Sequence, residues 1–333
     1  MHQRFRQSST GDATGIGGCR TSYDLAMSGT LLPPLSEDAV DAFDYDAAFS
    51  RNIGWVTEAE QTKLRGKRVA IAGLGGVGGA HLLTLARLGV DGFSIADFDC
   101  FGIENFNRQA GATTASLGRP KTHVLAEQAH LINPGVDLRV FDHGVTPQNI
   151  DDFLAGADCY VDGLDFFAFD AREETFSACS RLGIPAVTAA PLGMGVALLN
   201  FLPGKMSFEE YFRLAGRDEA EKAVRLLAGL APAMLGRGYL VDDSTVDLAA
   251  QRGPSTIMAC QLCAGVAATE VLKILLGRGP VLSAPWGLHF DAYTYRLKRT
   301  WRPGGNANPL QRLLIAIVRR KYRALGASRD DRP

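Results

Sequence analysis

The chain has 333 residues, 46% apolar and 21% charged, enough to bury at least one large core. Its 35 basic and 36 acidic side chains leave a net charge of −1, so no global field draws it to nucleic acid or to an anionic membrane, and neither is expected as a partner. The cysteines Cys19, Cys100, Cys159, Cys179, Cys260 and Cys263 lack the spacing of a disulfide framework, no run of about 18 uncharged apolar residues occurs, and the N-terminus lacks the apolar core of a signal peptide. A soluble cytoplasmic protein is expected.

Residues 1–40, rich in Ser, Thr, Gly and Pro, show no period and read as a flexible leader. From Lys67 onward, short β-branched or apolar runs alternate with longer amphipathic ones. The pattern predicts strands near 68–72, 92–97, 136–141, 159–162, 186–189 and 196–201, with helices near 77–88, 120–131, 147–154 and 167–182. That rhythm predicts an α/β fold: a Rossmann-like, doubly wound, mostly parallel sheet with helices on both faces. Thr146 and Pro147 read as the N-cap and first position of one helix, and Gly183 as the left-handed residue ending another.

Beyond Pro203 the pattern becomes helical and polar, which predicts an insertion packed over the ligand edge of the sheet. A long apolar helix near 255–276 precedes one alternating strand at 288–301. Near 310–326 a basic amphipathic helix sets Leu310, Leu313, Leu314, Ile317 and Val318 opposite Arg312, Arg319, Arg320, Lys321 and Arg323. Packing on the body or on a second subunit is the preferred reading of its apolar face. The expected organisation is a leader (1–40), a nucleotide-binding core (41–205), a helical insertion (206–253), a helix and strand completing the core (254–301) and a basic C-terminal helix (302–333).

The loop Gly73-Leu-Gly75-Gly76-Val-Gly78 comes directly after a predicted strand and opens a predicted helix, where free N–H groups and the positive helix end face an incoming phosphate. By itself this fits a dinucleotide, ATP or mere tight packing. Asp97, at the tip of the next strand, suits ribose hydroxyls in either nucleotide. The segments "DFDCFGIENFNRQ" and "LGRPKTHV" are more specific. A dinucleotide site already meets its pyrophosphate charge at the helix end, whereas a site that breaks ATP needs cations where charge develops. Arg108 and Lys121 supply them, with Asn105 as a neutral donor.

These motifs, acid-Phe-Asp, then Asn-x-x-Arg-Gln, then Gly-x-Pro-Lys, resemble the ThiF/MoeB/HesA adenylyltransferases of the ubiquitin-activating enzyme superfamily, clearly over residues 49–201 and more loosely over 255–301. The resemblance implies ATP-dependent activation of a carboxylate as an acyl adenylate, typically the C-terminus of a ubiquitin-like protein or peptide. It implies ATP held at Gly73, Gly75, Gly76 and Gly78, with ribose on Asp97, Asp99 beside it, and phosphates at Asn105, Arg108 and Lys121. It implies Mg²⁺ on Asp165, and Arg51 reaching the partner's phosphates in a homodimer.

Two departures from the family pattern stand out. Phe166 comes after Asp165 where relatives often carry Asn, and Cys260-Gln-Leu-Cys263 has no second pair, so no zinc is expected. No cysteine lies between Cys179 and Cys260, so no internal thioester step is expected. His81, His123, His130, His143 and His289 form no metal-ligand spacing. An NAD(P)-dependent oxidoreductase and a catalytically degenerate scaffold of the same superfamily are the alternatives.

Overall fold

The computed structural model describes residues 42–242, 245–246 and 253–330, with side chains to residue 320. The expected leader lies outside these residues. The described chain opens with α1 (Tyr45–Phe49), capped by the Asp44 carboxylate, and α2 (Glu58–Arg65), whose Thr57 and Glu60 cap each other reciprocally.

β1 (Arg68–Ala72) pairs in parallel with β2 (Gly92–Ala96) and β4 (Cys159–Asp162), β2 with β3 (Asp137–Phe141), and β4 with β5 (Ala186–Leu192). The antiparallel strands β6 (Gly195–Phe201), β7 (Trp286–Asp291) and β8 (Arg296–Trp301) extend this into one eight-stranded sheet, order β3-β2-β1-β4-β5-β6-β7-β8. Every residue of β1, β2 and β4 is buried, as strands covered on both faces require.

On one face, α3 (Gly78–Leu88), α4 (Lys121–Ile132) and the long α9 (Ile257–Leu276) pack over Val69, Ile71, Phe93, Ile95, Val161 and Leu198. On the other, α5 (Ile150–Leu154), α6 (Phe169–Leu182), α7 (Phe208–Phe212) and α8 (Glu219–Leu230) cover Ala70, Ala72, Tyr160, Ala197 and Leu199. Helix α10 (Pro309–Asp330) lays Ile315 and Val318 against Val224 and Ala228 of α8. The sheet is therefore doubly wound and parallel from β3 to β5.

Several expectations are corrected. Thr146 does not cap a helix with its side chain. Its N–H donates to Asn149 Oδ1, its carbonyl accepts from Asn149 and Ile150, and α5 starts only at Ile150. The alternating run at 288–301 is two strands, β7 and β8, because the Asp291 carboxylate accepts from Thr294 N and Oγ1 and closes a turn. That turn contains no Gly, Pro or Asn, so no breaker residue marks it. The insertion divides. Helices α7 and α8 join the layer beside α6, where Phe208 stacks on Phe176 at 4.4 Å, and do not roof the strand ends. Among the described residues of the insertion, the turn Leu235–Tyr239 reaches that edge, through Tyr239.

Helix α9 is long and apolar enough to cross a membrane, with mean hydropathy 1.6, yet half of it is buried within this chain, against α3, β5 and β6. Gly183 ends α6 at φ 71°, as its position in the sequence predicts.

Two buried polar features tie this frame together. At the head of β4, Arg172 Nε donates to Asp162 Oδ2 at 2.9 Å, with both side chains at most 5% exposed. Removing one partner leaves an uncompensated buried charge. We expect Arg172→Met to lose about 3–5 kcal/mol in chemical denaturation and Asp162→Asn/Arg172→Met to recover part of it; a single-variant loss below about 1 kcal/mol would contradict the pairing. On α3, both ring nitrogens of His81 are buried without a hydrogen-bond partner among the described residues, and burial holds its pKa down at about 4. The unfolded chain takes a proton near pH 6.5 and the folded chain does not, so stability is full above about 6.5 and falls as pH drops toward 4, by roughly 3 kcal/mol. His81→Leu should flatten that slope in a pH series of melts; an unchanged slope would exclude His81 as its source.

Candidate functional site

The turn from β1 into α3 is built on glycine for two separate reasons. A Cβ on Gly73, Gly78 or Gly163 would overlap backbone atoms of another of the three, and Gly73 sits at φ +79°. These residues let the turn press directly on the head of β4. Gly75 and Gly76 serve differently. A Cβ on Gly75 would meet only Gln109 Nε2, at 3.8 Å, and one on Gly76 would meet Cys260 Sγ at 3.0 Å and Arg108 Cγ at 3.6 Å. Helix α3 begins after Val77 with no side-chain cap, so its first N–H groups have no capping side chain to satisfy them.

Asp97 closes the loop from the β2 side. Its Oδ2 accepts from Leu74 N at 2.6 Å and its Oδ1 from Asp99 N at 2.8 Å. Burial raises its carboxyl above the usual carboxylate range, against the pull of Lys121. Lys121, the first residue of α4, is buried and donates Nζ to the half-exposed Asp99 Oδ2 at 2.8 Å. Asn105 is buried in a 3₁₀ turn, Ile103–Asn105, with Oδ1 accepting from Gly102 N. Three residues on, Arg108 is partly exposed and holds Glu104 O and Asn107 Oδ1 at 3.0 Å each.

Asp165 lies in the loop after β4, exposed, with Oδ1 accepting from Phe167 N at 3.0 Å. The helix beyond it starts at Phe169, two residues later than expected. Arg172 fixes this loop from below, donating Nη2 to Leu164 O and Asp165 O and Nη1 to Phe166 O. The Phe166 side chain packs edge-on against Phe167. Asp170 pairs with Lys222 while remaining exposed.

The structure thus gathers Gly75, Gly76, Asp97, Asp99, Asn105, Arg108, Lys121 and Asp165 at the C-terminal ends of β1, β2 and β4. Cations and a helix N-terminus for phosphate, a buried acid at the strand tip for hydroxyls, and an exposed acid for a divalent cation are the donor set that Mg·ATP requires. Arg51 is not among them. Its 3₁₀ turn sits at the far end of α3, where Asn52 Nδ2 donates to Leu88 O. That is the 11-residue length of α3, about 16 Å, from the glycine loop.

Two contributors were not legible as such. Arg172 sits within an ordinary amphipathic helical pattern and nothing local marks it. Gln109 is 7% exposed against Gly75, with no partner for Oε1 among the described residues; its one signal was its place after Arg108. Cys260 and Cys263 belong to the core, and Cys260 also backs the glycine loop.

Residues 49–312 match the ThiF family. The chain is 35% identical over 143 residues to the sulfur carrier protein ThiS adenylyltransferase of Escherichia coli K12, covering 43% of this chain and 56% of that protein. It is 31% identical over 132 residues to a tRNA threonylcarbamoyladenosine dehydratase of Haemophilus influenzae, covering 39% and 50%. The chain therefore spans about half the length of these curated relatives. Among solved structures, Escherichia coli MccB with ATP superposes with a TM-score of 0.58 at 18% identity, over 76% of this chain and 70% of that one, which is a likeness of fold. The family match runs through both halves of the sheet and every residue of the glycine-loop site: the chain belongs to the ThiF family.

Proposed function

We propose that this protein is an ATP-dependent adenylyltransferase that activates the C-terminal carboxylate of a ubiquitin-like protein or peptide, in the cytoplasm. The observation that carries the reading is the convergence of Arg108, Lys121 and Asp165 on one glycine loop. The names of the relatives support it: one is an adenylyltransferase of the sulfur carrier protein ThiS, and MccB has been crystallised with MccA.

In the proposed reaction a carboxylate oxygen attacks the α-phosphorus of ATP, the bond to the β-phosphate oxygen breaks, and pyrophosphate leaves. The attacking carboxylate is already ionised at neutral pH, so no general base is needed. The cost lies in bringing anions together, which Arg108 and Lys121 offset. Asp165 would hold Mg²⁺, which neutralises phosphate charge as it develops. Gly75 and Gly76 let phosphate approach the loop backbone, and Asp97 meets the ribose.

Four buried cysteines are poorly suited to take the acyl group. Burial raises the thiol pKa of Cys159, Cys179, Cys260 and Cys263, and a nucleophilic cysteine must be a thiolate. The adenylate then passes to an external nucleophile. Arg51, too far from its own site, would serve the partner's site in a symmetric dimer.

ATP–pyrophosphate exchange with a pool of synthetic peptides bearing free C-terminal carboxylates tests this. Exchange should require the free carboxylate, and Arg108→Ala should lower it about a thousandfold with an unchanged melt; exchange with C-terminally amidated peptides, or a fully active Arg108→Ala, would contradict it. In the same assay Arg51→Ala and Asp165→Ala should each be inactive, and an equal mixture should regain up to about a quarter of wild-type activity, because half the dimers are mixed and each then carries one intact site. A mixture as inactive as its parents would exclude the shared site.

A further inference from the structure

β8 ends the sheet, and among the described residues nothing pairs with its outer edge. Such an edge presents a row of free N–H and C=O groups that template another strand. This one is bare on both faces: all of Arg296–Trp301 is exposed except the half-buried Thr300. It is also patterned. Leu297 and Trp301, 60% and 55% exposed, share one face with Phe290 and Trp286 of β7 and with Arg299 between them, and Arg296 and Lys298 point to the other. The strand carries three cations, Arg296, Lys298 and Arg299, and no acid.

That charge decides between occupants. A second copy pairing about a two-fold axis at the strand centre would set Lys298 opposite Lys298, or Arg299 opposite Arg299, and like charges directly opposed are destabilising. An acidic strand meets no such penalty.

Direction ties the edge to the active site. β7 runs parallel to β1, so the Arg296 end of β8 lies at the same sheet edge as the glycine loop. A strand added antiparallel to β8 would leave the sheet at that edge with its C-terminus leading. Ahead of it lie Tyr293, 58% exposed with its ring tilted against Tyr239 at 4.4 Å, and then Met194, whose N–H donates to the Tyr239 hydroxyl. From the added strand to the ends of β4 and β1 is five to six strand spacings in the observed order, about 24–29 Å. An extended chain covers that in about seven or eight residues.

We infer that β8 accepts the polypeptide substrate by strand addition: a segment with acidic residues at alternate positions and apolar residues between them, then a tail of about seven or eight residues that ends in the carboxylate to be adenylated. The inference rests on the adenylation reading for the meaning of the tail, and on the edge alone for the docking.

The probe is a fluorescent synthetic peptide, eight residues alternating Glu and Val joined to an eight-residue Gly/Ser tail with a free carboxylate. Its twin has Lys in place of Glu. Anisotropy titrations without nucleotide should show the acidic peptide binding wild type at least tenfold more tightly than the twin. The Arg296→Glu/Lys298→Glu/Arg299→Glu variant should reverse that order, and hydrogen exchange should slow in residues 296–301 of wild type with acidic peptide. Equal or absent binding of the two peptides, protection elsewhere than β8, or a sedimenting dimer that the charge-reversed variant abolishes would overturn the docking. Mg·ATP titrations on the same preparations separate the two readings: peptide binding without ATP binding leaves the docking and removes adenylation, and ATP binding without peptide binding does the reverse.

Discussion

The site depends on three glycines that meet with no side chain between them. Because Gly73, Gly78 and Gly163 touch backbone to backbone, the turn leaving β1 and the turn leaving β4 lie against each other. The uncapped N–H groups of α3 and the exposed Asp165 come from those two turns, so any side chain at the contact would separate the parts of the proposed site. The glycine loop is thus first a packing device: Gly76 also backs onto Cys260 and Arg108, and of these glycines Gly75 alone leaves its Cβ position nearly free.

Around that contact, polar groups hold the reactive ones in place. Asp97 spans the loop and the start of the segment beyond β2, Asp99 fixes the Lys121 ammonium, and Arg172 gathers three successive carbonyls beneath Asp165 while its charge is met by Asp162. The desolvation cost of that buried pair is offset by satisfying nearly every guanidinium donor. Arg108 is the exception among the cations. It is partly exposed and its hydrogen bonds within the described residues go to neutral groups, so it stays available to charge that appears during a reaction.

Local signals made much of this legible. β1 and β4 fall where their apolar runs begin and end, since strands buried on both faces are read from composition alone. The order of Asp97, Arg108 and Lys121 along the chain was enough to anticipate their convergence, because each lies beyond a strand end of a parallel sheet. Longer-range packing was not legible. Nothing near Arg172 in sequence announces its partner Asp162, the β7–β8 turn carries no breaker residue, and α7 and α8 pack where Phe176 and Phe201 receive Phe208. The distance of Arg51 from its own loop reflects the length of α3, which the helical period predicts, but its placement at the far end depends on Asn52 bonding to Leu88.

What the glycine loop holds decides between adenylation and redox chemistry, and calorimetric titration of the purified full chain with Mg·ATP, beside parallel titrations with NAD and NADP, asks that directly. Adenylation predicts that Mg·ATP binds, that the dinucleotides do not, and that Asp165→Ala weakens the binding. Binding of NAD or NADP without binding of Mg·ATP would contradict it and return the loop to a redox role.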